Sequence, residues 1–116
     1  MEVKIDAKFE FGQDLIFVKG SGKEVVLKVN SPLGLFKEIE LNEVKIDNLN
    51  YELKEGSTII TLKNSYLESL NLGKYKINIK FAENDKYNAA NLETSLTVQN
   101  PGETSKVKLE NLILLI

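Results

Sequence analysis

The residues with the clearest potential for chemistry are four carboxylic acids that lie close together in the sequence. They are Glu38, Glu40, Glu43 and Asp47. A pair of carboxylates could perform general acid–base chemistry, and the group could instead bind a hard cation such as Ca²⁺. Glu38 and Glu40, however, alternate with the apolar Ile39 and Leu41. This alternation is typical of a strand with one solvated face, so the pattern favours a solvated face over a catalytic or metal site.

A second group of oxygen-bearing side chains falls in one predicted loop. It consists of Asn84, Asp85, Asn88 and Asn91. These side chains could bind calcium, but their order differs from the Asp-x-Asp-x-Asp-Gly order of a dedicated calcium loop. A turn stabilised by its own Asn and Asp side chains is the favoured interpretation.

The stretch Gly20-Ser21-Gly22-Lys23 has part of the composition of a phosphate-binding loop. Such a loop needs a spacer of about four residues between its glycines and a Ser or Thr after its lysine, and both are missing here. The sequence therefore favours a hairpin turn at this position.

Three tyrosines, Tyr51, Tyr66 and Tyr87, could form a platform on which sugars stack. They fall on different predicted elements and have no tryptophan beside them, so packing in or around the core is favoured. A lysine–asparagine isopeptide crosslink would need a buried lysine, a buried asparagine and a neighbouring acid. The sequence does not locate such a trio.

The chain contains no histidine, cysteine, tryptophan or arginine. A Ser-His-Asp or Cys-His nucleophile cannot be built, nor can a zinc site of nitrogen and sulfur ligands or a disulfide. A net charge of −2 predicts no strong attraction to nucleic acid or to anionic membranes. We accordingly expect no catalytic, cofactor-binding or metal-binding residues and no nucleic-acid partner.

The first residues, 1–6, lack the apolar region of a signal peptide, and no segment reaches the ~18 apolar residues of a membrane span. Two origins fit this pattern. The chain is either a mature or excised module of an extracellular or cell-surface protein, or it leaves its cell by another route, such as inside a virus particle.

Alternation of apolar and polar residues dominates the sequence and predicts strands. The first strand is expected to place Val3, Ile5, Ala7, Phe9 and Phe11 on one face. Further strands are expected over residues 15–18, 25–29, 36–41, 44–46, 51–53, 58–62, 75–81 and 92–98. Asn42-Glu43 is expected to form a hairpin turn.

Residues 64–70 break the alternation and predict one helical turn, with Ser65 as its N-cap and Glu68 completing a capping box. Gly73 and Tyr75 then precede the most regular strand. In immunoglobulin-like sandwiches a tyrosine at the start of such a strand bonds back to the upstream backbone, forming the tyrosine corner. Ile77 stands two residues after Tyr75, where an antibody domain has its second cysteine.

Several stretches of the chain resemble known families. Residues 15–23, 51–63 and 66–70, leading into Gly73 and Tyr75, resemble the Ig-like X modules of bacterial cellulosome scaffoldins and related surface proteins. Residues 73–81, 84–90 and 96–98 are similar to Ig-like repeats of bacterial and archaeal adhesins. Both resemblances imply an Ig-like fold and a role without catalysis.

A second region, residues 101–116, follows the expected sandwich of residues 1–100. Its apolar residues are Val107, Leu109, Leu112, Ile113, Leu114, Leu115 and Ile116. Exposed, such a run would promote aggregation, and it is too short to span a membrane. We expect residues 107–116 to form an extra strand covered by another subunit or a neighbouring domain, or else to belong to the next module of a longer chain.

The sequence thus predicts an all-β protein, an immunoglobulin-like antiparallel β-sandwich of about seven strands with one short helical turn. The leading functional hypothesis is a non-catalytic structural or adhesive module that acts as spacer and protein-contact domain. An accessory protein of a phage virion is the alternative, and a carbohydrate-binding module is the third hypothesis.

Overall fold

The computed structural model describes residues 3–101, which form two β-sheets. The strands are β1 (Phe9–Phe11), β2 (Leu15–Val18), β3 (Val25–Val29), β4 (Phe36–Leu41), β5 (Val44–Lys45), β6 (Tyr51–Glu55), β7 (Thr58–Leu62), β8 (Gly73–Phe81) and β9 (Ala90–Gln99). The helix α1 covers Asn64–Glu68, and two 3₁₀ turns cover Leu33–Leu35 and Asn48–Asn50. In this described part of the chain, no helix has the length and apolar character needed to cross a membrane.

The two sheets pack face to face as the predicted sandwich. One sheet has the order β1-β3-β7-β6, and the other has the order β2-β9-β8-β4-β5. The longest pairing joins β8 to β9, from Gly73 opposite Val98 to Phe81 opposite Ala90.

The core lies between the sheets and follows the predicted alternation. Its fully buried aliphatic side chains come mainly from the central strands and include Leu27, Val29, Ile60, Leu62, Ile77, Ile79, Leu96 and Val98. Phe36 packs edge-to-face on Phe81, with ring centroids 5.9 Å apart. The predicted strands over 25–29, 36–41, 58–62 and 75–81 are confirmed, because in each of them alternate residues face this core.

The first strand, expected to run from Val3 to Phe11, is shorter than predicted: it covers only Phe9–Phe11, and Ile5 forms an isolated bridge with Tyr87. The segment divides at Gly12: β1 pairs with β3 in one sheet, whereas β2 pairs with β9 in the other. The register between β1 and β3 shifts between Phe9 and Phe11, which leaves Phe11 48% exposed instead of on the inner face. Val3, also expected on that face, is 92% exposed.

The sequence predicts an antiparallel sandwich, but the pairing of β2 with β9 is parallel. The other strand pairs are antiparallel, as predicted. Leu15 lies opposite Leu96 and Val18 opposite Gln99. The amide of Lys19 extends the pairing by donating to the carbonyl of Gln99 at 2.9 Å.

The predicted turns are present, but one cap is different. Asn42 and Glu43 have φ values of 49° and 69° and connect β4 to β5 as a hairpin. Asn readily adopts positive φ, whereas Glu does so rarely. The helical turn is confirmed as α1, whose Leu67 is fully buried. Ser65 is not its N-cap: Lys63 occupies that position without a side-chain hydrogen bond, because the helix begins two residues earlier than the capping box requires.

Gly12 is the residue that allows the first segment to change sheets. Its φ of 115° lies in a region that L-residues rarely adopt, and a Cβ there would come within 3.0 Å of the Leu27 backbone. Gly20 also has a positive φ, 79°, but a Cβ there would meet open space.

We therefore predict that Gly12→Ala lowers the free energy of unfolding by about 2–4 kcal/mol, through backbone strain and overlap with the core. Gly20→Ala, as the matched control, should lower it by only about 1–2 kcal/mol. Urea unfolding followed by circular dichroism measures both values. Equal losses in the two variants would show that the contact with Leu27 does not constrain the chain.

Candidate functional site

The structure does not bring all four acidic residues of the predicted run together: Glu40 and Glu43 line one surface cleft with Glu93, whereas Asp47 lines a different one. Glu40 forms an ion pair with Lys80 and Glu43 with Lys76, each at 3.1 Å. The side chain of Asp47 instead accepts a hydrogen bond from the amide of Leu49 at 2.9 Å. The hydrogen bond to Glu43 is the main reason that the pKa of Lys76 is raised. Within residues 3–101, no group of three or more acidic side chains could hold a metal ion.

The Asn-rich loop uses its polar side chains to bind its own backbone. The Asn84 Oδ1 atom accepts hydrogen bonds from the amides of Lys86 and Tyr87, both at 2.8 Å. Asn88 donates to the carboxylate of Asp6 at 2.7 Å. The loop is therefore a turn stabilised by its side chains, the favoured interpretation.

The stretch from Gly20 to Lys23 is a turn, but it is not the predicted hairpin, because it connects β2 to β3 in the opposite sheet. The amide of Gly20 donates to the Glu68 carboxylate at 2.6 Å. The Asn64 side chain donates to the carbonyl of Lys23 at 2.8 Å. Because the Gly20 amide is already hydrogen-bonded to the Glu68 carboxylate, it is not free to bind a phosphate group, and the negative charge of Glu68 would repel one.

The three tyrosines do not form a stacking platform. Tyr51 is only 8% exposed and packs edge-to-face on Phe36, with ring centroids 6.0 Å apart. Burial raises the pKa of the Tyr51 and Tyr66 hydroxyls. Tyr66 belongs to α1, and Tyr87 belongs to the loop between β8 and β9. None of the lysines in the described residues is buried, so these residues offer no isopeptide trio.

Tyr75 joins β8 to the chain that precedes it. Its hydroxyl donates to the carbonyl oxygen of Asn71 at 2.6 Å. The ring is half-buried and packs against the core, whereas the following inward residue, Ile77, is completely buried. Gly73, with a φ of 145°, begins the strand next to this bond.

The two ends of the described chain lie at opposite ends of the sandwich. Near the start, the amide of Ile5 donates to the carbonyl of Lys86 at 2.8 Å, beside the turn at which β8 ends and β9 begins. The chain leaves the sandwich after Gln99, at the other end of β9. The ten residues of β9 separate these points by roughly 33 Å at about 3.3 Å per residue.

The outer edge of β2 is a surface that sequence analysis did not identify as a candidate contact. This strand is the last in its sheet, and within the described residues only β9 pairs with it. Ile16 points away from the core and is 63% exposed. The available signal was four consecutive apolar residues, Leu15–Val18, but alternation alone does not distinguish an edge strand from a central one.

Comparison with known proteins identifies the fold. No protein-family model and no curated protein sequence matches the chain. A tri-modular endo-β-1,4-glucanase from Bacillus licheniformis matches with a TM-score of 0.60 and 15% identity, covering 82% of this chain and 18% of that one. Tandem Ig domains of titin match with a TM-score of 0.50 and 15% identity, covering 84% of this chain and 51% of theirs.

The SrpA adhesin from Streptococcus sanguinis also matches, with a TM-score of 0.50 and 14% identity, covering 86% of this chain and 59% of the adhesin. The chain thus spans about a fifth of the endoglucanase and less than two thirds of the adhesin. The resemblance to Ig-like modules is confirmed at the level of the fold: the protein is an Ig-like β-sandwich. The tail residues expected to contact a partner, 107–116, lie outside the described residues.

The bond from Tyr75 to Asn71 yields a direct test. We predict that Tyr75→Phe lowers the free energy of unfolding by about 0.5–1.5 kcal/mol, because it removes one hydrogen bond near the surface. Tyr66→Phe is the control, since its hydroxyl has no hydrogen-bond partner among the described residues; its effect should stay within about 0.5 kcal/mol. Thermal unfolding of both variants gives the comparison, and a larger loss for Tyr66→Phe would refute the assignment.

Proposed function

We propose that this protein is a non-catalytic Ig-like module of a bacterial surface or secreted protein, acting as a rigid spacer and protein-contact domain. The observation that carries the proposal is that residue 5 and residue 99, near the two ends of the described segment, lie at opposite ends of the sandwich. A module with this geometry holds whatever precedes it and whatever follows it roughly 33 Å apart, the length of a ten-residue strand.

The interior of the sandwich supports a spacer, because a spacer must keep its length. The side chains at its centre, such as Leu27, Ile60 and Ile79, are completely buried. Close-packed interiors of this kind resist compression and bending. The pairing of β8 with β9 extends over nine residues of each strand, from Gly73 opposite Val98 to Phe81 opposite Ala90.

The polar groups support a role without catalysis. Glu40 and Glu43 are paired with lysines, and Asp47 binds a backbone amide. Catalytic carboxylates, by contrast, converge in a pocket that shifts their pKa values. Glu40 and Glu43 line one surface cleft with Glu93, but Lys76 and Lys80 line the same cleft and pair with them, and Asp47 lies elsewhere.

The matching proteins support the setting of the proposal. Their names describe a tri-modular enzyme, tandem domains and an adhesin. In each case the match covers only part of the matching protein's own chain. Residues 107–116, with five consecutive large apolar side chains, are suited to contacts with a neighbouring domain or subunit. An extracellular or cell-surface location follows from the same proposal.

A spacer between anchored domains is pulled at its two ends, and the structure predicts how it responds. β2 lies early in the sequence, β9 lies late, and the two strands pair in parallel. When the chain is pulled from both sides, β2 and β9 are drawn in opposite directions along their length. The hydrogen bonds between them are then loaded together, in shear. We predict a high unfolding force when the chain is stretched from its termini in single-molecule force spectroscopy, where the unfolding rate governs the outcome.

The control stretches the same module from Cys residues introduced by Leu72→Cys and Asn100→Cys. These positions flank the same end of the antiparallel β8–β9 pair, so its bonds open one after another. The force should be lower in this geometry. If the termini yield at the same or a lower force, the module is not built to transmit tension and the spacer proposal fails.

A further inference from the structure

Within residues 3–101, the outer edge of β2 has no partner strand and lacks most of the features that protect sheet edges. An edge strand presents backbone N–H and C=O groups that can pair with another strand, and proteins commonly block such edges with charges, prolines, bulges or short strands. The strand β2 consists of Leu15, Ile16, Phe17 and Val18, so it contains neither a charge nor a proline. Its four residues keep an unbroken register with β9, so no bulge interrupts it.

The other three edge strands each carry at least one of these protections. The strand β1 has three residues, an irregular register and the charged Glu10, which pairs with Lys28 at 3.1 Å. The strand β5 has only two residues. The strand β6 presents Glu52, Lys54 and Glu55, all exposed. The contrast marks the β2 edge as the one suited to accept an additional strand.

We propose that the outer edge of β2 binds residues 107–116 of a second copy of this chain as an added strand. The tail has the required chemistry: Val107 and Leu109 alternate with lysines, and residues 112–116 are all large and apolar. Such a strand pairs its backbone with the β2 edge and places apolar side chains beside Ile16. This inference rests on the proposed function, for which it names the site and the partner of the tail contact.

The path of the chain favours a second copy over the tail's own β2. The chain leaves the sheet after Gln99, beside Lys19, where β2 continues into the connection to β3. Glu68 and Asn64 hold that connection in place. To reach the outer edge of its own β2, the tail would have to cross this connection, and connections at one edge of a sheet do not normally cross. A tail from another molecule approaches the edge from solvent.

The position of the tail also determines the shape of the assembly. The tail leaves one end of the sandwich, whereas the edge that accepts it runs along the side. Two copies can exchange tails in a closed pair, or each can bind the next in an open chain. Both arrangements use the same two surfaces, and both make association depend on protein concentration.

The test uses two full-length variants that disable opposite halves of the contact. Ile16→Lys places a charge on the β2 edge at a position already 63% exposed, so the core is undisturbed. The double variant Leu112→Asp, Leu114→Asp disables the tail. Val44→Lys is the matched control, because Val44 is 69% exposed on the opposite edge strand of the same sheet. Circular dichroism verifies that each variant is folded.

Sedimentation velocity over a range of concentrations then measures association. The unsubstituted chain and Val44→Lys are expected to self-associate alike. Ile16→Lys and the double tail variant should each weaken self-association by at least about tenfold. Mixed together, these two variants should form a complex, because one supplies an intact tail and the other an intact edge.

Three results would overturn the inference: an unsubstituted chain that stays monomeric at every concentration, association that survives Ile16→Lys, or a mixture that forms no complex. A monomer whose thermal stability falls on Ile16→Lys would indicate that the tail binds its own β2. None of these results bears on the force measurement, which tests the spacer proposal without reference to self-association.

Discussion

The parallel pairing of β2 with β9 is the interaction on which the rest of the structure depends. It joins the first part of the chain to the last strand, while β1, only a few residues earlier, belongs to the opposite sheet. The N-terminal segment therefore connects both layers of the sandwich. The change of sheet occurs at Gly12. Its backbone has a φ of 115°, which residues with a side chain rarely adopt, and it lies against Leu27. On the side of β2 away from β9, the described residues place no partner strand.

Much of this fold could be predicted from the sequence, because local patterns record which side chains face the core. The burial of β3 and β7 alternates residue by residue, and the turn after β4 could be expected because Asn42 tolerates positive φ. The assignment of the first two strands to opposite sheets could not be predicted in this way. Alternation shows that a residue is buried, but it does not show which sheet the residue belongs to or in which direction the neighbouring strand runs.

The candidate sites show the same division between local and distant information. The Asn84 turn was the favoured interpretation because its partners are two or three residues away. At the other candidate sites, the contacting residues are distant in sequence. Glu40 forms its ion pair with Lys80, and the amide of Gly20 donates its hydrogen bond to Glu68. The capping box at Ser65 fits its sequence motif but fails in the structure, because the helix begins at Asn64. Function, as often with this kind of fold, depends on ends, edges and surfaces more than on motifs.

Amide hydrogen exchange measured by NMR is the most direct test of whether β2 and β9 form a stable pair. Hydrogen bonds that open only on global unfolding exchange at the rate set by the full unfolding free energy. If the pair is stable, the β2 amides bonded to β9 and the amide of Lys19 are protected nearly as strongly as the amides of the β8–β9 pair. Exchange of the β2 amides at rates typical of exposed loops, while β8 and β9 stay protected, would contradict it.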